Sequence, residues 1–209
     1  MSHDSIVKPV EAIDKLISIL SGESKPIDFE GNLHRLPLLD SNKEPRILLL
    51  LSGGITVHRR SDYLLFAVAN APFLFGLLGS PFRNNVYQFK AVKDAVVHTL
   101  SYERALELIA ENNAIRELLI YLSYANDYQS NRMNMLVNTT SQEIVISLLI
   151  ELIRIPYEQR RKISVSAYIM ERSNLARSGV MKILAQLRKN NVIETQNGKL
   201  LNIKTINPI

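Results

Sequence analysis

Apolar positions recur with two different periods along this 209-residue chain. Between Ser5 and Leu20, the residues Ile6, Val10, Ile13, Leu16, Ile17 and Leu20 fall at helical spacing, which predicts an N-terminal amphipathic helix. The stretch Ser21-Gly22-Glu23-Ser24-Lys25-Pro26 ends it. From Pro26 to Leu100 the pattern changes to short apolar runs separated by Gly, Pro, Asn and Asp. Ile47–Leu51, Ile55–His58, Leu64–Val68, Tyr87–Ala91 and Val96–Leu100 read as strands. A β-roll or small barrel of about eight strands fits this spacing. Helical spacing returns at Tyr102–Ala110. It continues in a longer helix from Ala114, with Ile115, Leu118, Leu122 and Ala125 at near-heptad positions. That seam weakens where Gln129 and Arg132 follow. It reads either as a dimerisation surface or as a face packed on the chain's own β-roll. Thr140-Ser141-Gln142-Glu143 has the form of a capping box and predicts a further helix to about Arg154. The domain boundary is expected at Asn138, giving domains 1–137 and 138–209.

The most specific pattern lies in the last fifty residues. From Ile163 to Ile203 the chain reads as a short helix, a tight turn, a second helix carrying cations, and a β-hairpin. Helix-turn-helix followed by a hairpin is the winged-helix plan, in which the second helix enters the DNA major groove. Ile169 fits the interior of the first helix and Leu175 the turn. Val180, Ile183, Leu184 and Leu187 form one face of the second helix. Asn174 stands where many such turns carry glycine, and asparagine tolerates a positive φ better than most residues. The hairpin has short apolar runs at Val192-Ile193 and Leu200–Ile203. Asn197-Gly198, the strongest two-residue hairpin signal, lies between them.

Charge sharpens this picture. The chain as a whole is only mildly basic, with a net charge of +5. From Arg154 onward, however, eleven Lys/Arg face three Asp/Glu, whereas the remainder is slightly acidic. A basic segment joined to an acidic one suggests a polyanion-binding domain attached to something else. Arg177, Ser178, Met181 and Lys182 occupy outward positions near the start of the second helix. Arginine can pair with guanine in bidentate fashion, and serine can bond to a base edge or a phosphate. Arg177, Ser178 and Lys182 are therefore the expected base readers. Arg172, Arg188, Lys189 and Lys199 are the expected backbone contacts. A basic, solvated surface without a ligand is the alternative that charge alone allows.

Ala176-Arg177-Ser178-Gly179-Val180-Met181-Lys182-Ile183-Leu184, followed by Asn191-Val192-Ile193-Glu194 and Gly198-Lys199, resembles a known winged helix. It is that of the cyclic-AMP-receptor and fumarate-nitrate-regulator (Crp/Fnr) superfamily of bacterial transcription factors. Leu51-Ser52-Gly53-Gly54-Ile55-Thr56-Val57 is similar to the entry of that superfamily's β-roll. Ala71-Pro72-Phe73-Leu74-Phe75-Gly76-Leu77 sits where its Gly-Asp-Phe-Ile-Gly-Glu-Leu segment lies. The resemblance runs from about residue 46 to the C-terminus. It implies an α+β fold: a cyclic-nucleotide-binding-domain-like β-roll, a long dimerisation helix over about 112–137, and a C-terminal winged helix-turn-helix. It further implies a homodimer that binds a near-palindromic site on double-stranded DNA, with RNA polymerase as a further partner.

The departures from that family matter as well. Its nucleotide-binding members hold a cyclic phosphate with a Gly-Glu pair and a later Arg-Ser or Arg-Thr. Here those positions align with Phe75-Gly76 and Asn85-Val86, so both charged anchors are replaced. Arg83 could substitute only in a shifted alignment. An anionic phosphate without a paired cation is poorly stabilised, so no cyclic nucleotide is expected. The chain has no cysteine, which excludes cysteine-ligated iron–sulfur clusters and thiol redox sensing. The four histidines, His3, His34, His58 and His98, are scattered and give no metal-ligand spacing. Ser52-Gly53-Gly54 reads as a turn rather than a nucleophile elbow. No cofactor, metal or catalytic residue is expected. Phe73, Phe75 and Phe82 read as core, with an apolar ligand pocket as the alternative. No apolar run is long enough to span a membrane and no signal pattern opens the chain, so a cytoplasmic protein is expected. Two functions compete with a ligand-free regulator. One is a regulator switched by an effector bound in the β-roll, and the other is a protein-interaction module whose winged helix does not bind DNA.

Overall fold

A computed structural model describes residues 6–29, 35–78, 86–137 and 139–204. His3, His34, Phe82, Arg83, Asn85 and the expected boundary residue Asn138 lie outside the described residues. The chain divides into two compact units, Met1–Asn131 and Arg132–Ile209.

The first unit opens with helix α1, Val10–Ser21. The helix starts later than its apolar spacing suggests because Pro9 precedes it. Proline lacks the N–H that a helix interior needs and disfavours helical backbone in the residue before it. Ile6 and Val10, read as part of the apolar stripe, are consequently exposed, while Ile13, Leu16 and Leu20 are fully buried.

Eight strands follow among the described residues: β1 Lys25–Pro26, β2 Arg35–Leu36, β3 Arg46–Ser52, β4 Gly54–Arg59, β5 Leu65–Asn70, β6 Phe73–Phe75, β7 Tyr87–Ala91 and β8 Val96–Ser101. They form two antiparallel four-stranded sheets, ordered β1-β8-β3-β6 and β2-β7-β4-β5. The run Ile47-Leu48-Leu49-Leu50 in β3 is completely buried, and strand alternation sends its side chains to two different cores. Leu48 and Leu50 meet Ile55, Val57 and Phe89 of the opposite sheet. Ile47 and Leu49 meet α1 and the helices α2, Tyr102–Glu111, and α3, Ile115–Leu136. A continuous apolar run, rather than an alternating one, is what a strand covered on both faces requires.

Two close backbone features fix local geometry in this unit. Gly76 has φ +98°, and a Cβ there would stand 2.6 Å from the Arg46 carbonyl oxygen, so only glycine lets the end of β6 lie against β3. Between α2 and α3, Asn113 takes φ +52° while the Ala114 N–H donates to the Ile109 carbonyl at 2.9 Å. That pattern closes a helix and restarts the chain in a new direction.

The second unit contains α4 Ser141–Ile153, α5 Tyr157–Arg160, α6 Val165–Arg172, α7 Arg177–Lys189 and the hairpin β9 Ile193–Gln196 with β10 Lys199–Ile203. The capping box forms as expected. The Glu143 N–H donates to Thr140 Oγ1 at 3.2 Å, and the Thr140 N–H donates to Glu143 Oε2 at 2.6 Å. One core joins every element of this unit except α5: Val145, Leu148 and Leu152 of α4, Ile169 of α6, Val180 and Leu187 of α7, Ile193 and Leu200 of the hairpin.

Candidate nucleic-acid interface

The second helix of the motif, α7, owes its orientation to a single apolar face. Val180, Leu184 and Leu187 are buried against α4 and α6, and Ile183 is half-buried beside them. The complementary face is left to solvent. Arg177, Ser178, Gly179, Met181, Lys182, Arg188 and Lys189 are all exposed. The expected base readers Arg177, Ser178 and Lys182 thus share the start of this helix and its outer surface. Arg188 and Lys189 lie in its last turn, where cations also favour the helix dipole. The chain leaves α7 as it left α2: Asn191 has φ +55°, and the Val192 N–H donates to the Leu187 carbonyl at 2.9 Å.

The turn before α7 forms differently from its expected conformation. Ser173 is extended (φ −143°, ψ 156°) and so is Ala176 (φ −63°, ψ 142°). Asn174 is not among the positive-φ residues. The buried Ser173 hydroxyl donates to the Ile169 carbonyl at 2.7 Å, which satisfies a helix-end acceptor by side chain instead of by a left-handed residue. Leu175 packs on the unit's core as read from its position.

The wing has the expected chemistry. Lys199 pairs with Gln196, so Asn197-Gly198 is a two-residue loop, and both residues have positive φ, 49° and 73°. This is the geometry for which Asn-Gly is selected. The tip is tied to the helix-turn-helix: the Val165 N–H donates to the Gly198 carbonyl at 2.9 Å, and Lys199 Nζ donates to the Lys162 carbonyl at 2.9 Å.

Burial sorts the remaining cations in a way that charge counting misses. Arg160 is buried and its guanidinium donates to four carbonyls, those of Ile153, Ile155, Leu200 and Leu201. It staples β10 to the α4–α5 corner. Arg172, read as a backbone contact, lies with its guanidinium carbon 3.7 Å from the Tyr168 ring centroid and its side chain only 12% exposed. Tyr168 donates its hydroxyl to Glu151 at 2.6 Å, and burial followed by the Glu151 charge holds its ionisation well above the ordinary tyrosine range. Arg132, also buried, donates to the Arg172 carbonyl at 3.0 Å and pairs with Glu151 at 3.4 Å. Nothing in the spacing of Arg132, Glu151 and Arg172 marks them as a group, because the contact is tertiary.

Residues 141–208 match the protein family described as winged helix-turn-helix DNA binding. Over 203 residues the chain is 28% identical to the inhibitor of hydrogen peroxide resistance of Escherichia coli K12, covering 97% of each chain. The protein of that name from Salmonella typhimurium matches to the same extent. Among solved structures, it aligns with the c-di-GMP-responsive global regulator of Xanthomonas campestris at 13% identity, with a TM-score of 0.66. That alignment covers 92% of this chain and 100% of the other. A CRP/FNR-family transcriptional regulator from Thermus thermophilus aligns at 16% identity with a TM-score of 0.55, covering 86% and 94%. This chain has the Crp/Fnr fold.

Within the Crp/Fnr fold, three of the four positions aligned with cyclic-phosphate anchors come together. Phe75, Gly76 and Val86 line one cavity of about 530 Å³ in the first unit. Asn85 lies outside the described residues. Phe73 and Phe75 pack in the cores, as expected, and also line this cavity.

The helix expected to carry dimerisation also divides its residues. Leu118, Leu122 and Ala125 pack on the first unit's own core, whereas Ile115 is exposed. Exposed apolar residues near it are Leu119 and Ile120. No helix among the described residues is long and apolar enough to cross a membrane.

Proposed function

We propose that this chain is a sequence-specific transcription regulator that binds a near-palindromic DNA site as a homodimer, without cyclic nucleotide. The observation that carries this reading is the outer face of α7. Arg177, Lys182, Arg188 and Lys189 are exposed there, and among the described residues none of them forms an ion pair. Cations kept out of internal pairs are available to phosphates and base edges. Arg177, Ser178 and Lys182 read bases; Arg188, Lys189 and Lys199 hold backbone. Arg172, stacked on Tyr168 and paired with Glu151 at 3.8 Å, reaches DNA less directly and ties α6 to α4.

The homodimer is best supported by α3. Ile115, Leu119 and Ile120 leave an exposed apolar surface on the part of α3 that the first unit's own core does not cover, and Ile115 and Leu119 stand four residues apart, a spacing that two-helix seams use.

Selection from a pool of random duplex DNA, at near-physiological salt and without added ligand, tests the proposal. Enrichment of a palindromic sequence is the expected result. Arg177→Ala is then expected to cost about 1–3 kcal/mol on that sequence and to relax the preference at one position in each half-site. Equal losses on selected and random DNA would remove Arg177 from base reading. A second reading, in which an effector in the first unit switches DNA affinity, is favoured by the 530 Å³ cavity.

A further inference from the structure

The cavity of the first unit is the feature that DNA recognition leaves unused. Its volume lies within the range of small-molecule sites. Its walls are aromatic to an unusual degree, with Phe66, Phe73, Phe75, Tyr87, Tyr121 and Tyr124 among them. The rings form a connected series. The Phe73 centroid is 4.9 Å from that of Phe75, 5.9 Å from Tyr121 and 6.3 Å from Tyr124. Tyr121 donates its hydroxyl to the Leu74 carbonyl, so its polar end is already satisfied. A ligand filling this space meets mainly rings and apolar side chains, with Asn70, Gln129, Tyr124 and Tyr128 as polar lining residues.

Among the described lining residues, Lys8 is the one charged side chain. Its Nζ donates to the Asn70 carbonyl at 2.8 Å and lies 5.4 Å from the Phe73 centroid. Among the described residues no carboxylate stands within ion-pair distance of it. Burial pushes the Lys8 ammonium below its ordinary range, with Asp14 opposing from further away. A half-buried cation flanked by a carbonyl and a ring gains from an anion brought in beside it. One cation balances one negative charge, and further anionic oxygens would face the negative ring surfaces.

We propose that this cavity binds an apolar monocarboxylate, its carboxylate on Lys8 and its hydrocarbon body against Phe73, Phe75 and Tyr124. As an effector site it rests on the second reading above; as a binding site it stands on the cavity alone. Isothermal titration of the full chain with decanoate, in the absence of DNA, tests it. Saturable one-to-one binding is expected. Lengthening the probe from octanoate to decanoate should tighten binding by about four-fold per methylene. Lys8→Gln should weaken decanoate by roughly ten-fold or more while leaving the neutral decanol little changed. Ala67→Leu narrows the cavity and should weaken both probes, with a thermal melt reporting that the variant remains folded. Absence of decanoate binding overturns the proposal. So does equal affinity for decanoate and decanol, or a Lys8→Gln variant that binds decanoate as the parent does. Decanoate binding that leaves DNA affinity unchanged upholds the ligand class and removes the effector reading.

Discussion

Gly179 stands in the first turn of α7 with open space where a Cβ would be. A glycine there costs the helix roughly 1 kcal/mol relative to alanine. Gly179→Ala is expected to raise the melting temperature of the free protein and to weaken binding to the selected DNA site, because the new methyl group sits on the exposed surface proposed to meet DNA. A variant that gains in both measurements would show that the backbone does not approach DNA at this point. Arg160 and Arg161 are adjacent and equal in charge, yet their environments are opposite. Arg160→Met removes bonds to four buried or half-buried carbonyls and should destabilise the second unit by about 2–3 kcal/mol in a denaturant titration. Arg161→Met, on an exposed side chain, should stay within about 0.5 kcal/mol of the parent. This contrast marks where reading by residue type stops. The basic character of the segment was legible in its composition, and the outward face of α7 in its spacing. Which arginines are internal struts was not, since Arg160 finds two of its acceptors about forty positions away on β10.

At the scale of elements, local chemistry was the most legible part of the chain. The Thr140–Glu143 box, the Asn197-Gly198 turn and the β7 boundaries all follow from a few adjacent residues. The late start of α1 was written in Pro9, a stronger signal than the apolar spacing that crosses it. The division of α3 was hidden because both of its sides carry apolar residues, and only the position of the β-roll decides which side is covered. The capping box also makes α4 sensitive to acid. Hydrogen bonds from the Thr140 N–H and then from its hydroxyl hold the Glu143 carboxyl below the usual range. A depressed folded pKa contributes stability above the unfolded value of about 4.3, and loses it as pH falls through the folded value. Thr140→Ala should cost about 1 kcal/mol near neutral pH. The gap between this variant and the parent, followed by thermal melts, should narrow below about pH 4. A gap that holds constant to lower pH would mean that the bond from the Thr140 hydroxyl to the Glu143 carboxylate contributes nothing.

At the scale of the whole molecule, the expected dimer depends on a surface that the monomer leaves bare. Leu119 is 58% exposed, more than any other apolar residue of α3. Leu119→Lys removes apolar area from the seam and places like charges opposite each other across a two-fold axis. Sedimentation analysis should then show a shift toward monomer, while circular dichroism stays unchanged. DNA affinity should fall steeply, since one recognition helix can no longer recruit the other. Retained dimerisation would move the interface elsewhere on the molecule. The bond from the Val165 N–H to the Gly198 carbonyl has a consequence of another kind. It closes the chain into a ring that starts at the first helix of the motif, passes through α7 and returns at the wing tip. A ring of that kind opens all at once. In heavy water, the Val165 amide should exchange its hydrogen as slowly as the amides in the middle of α7, so that wing and helices share one lifetime.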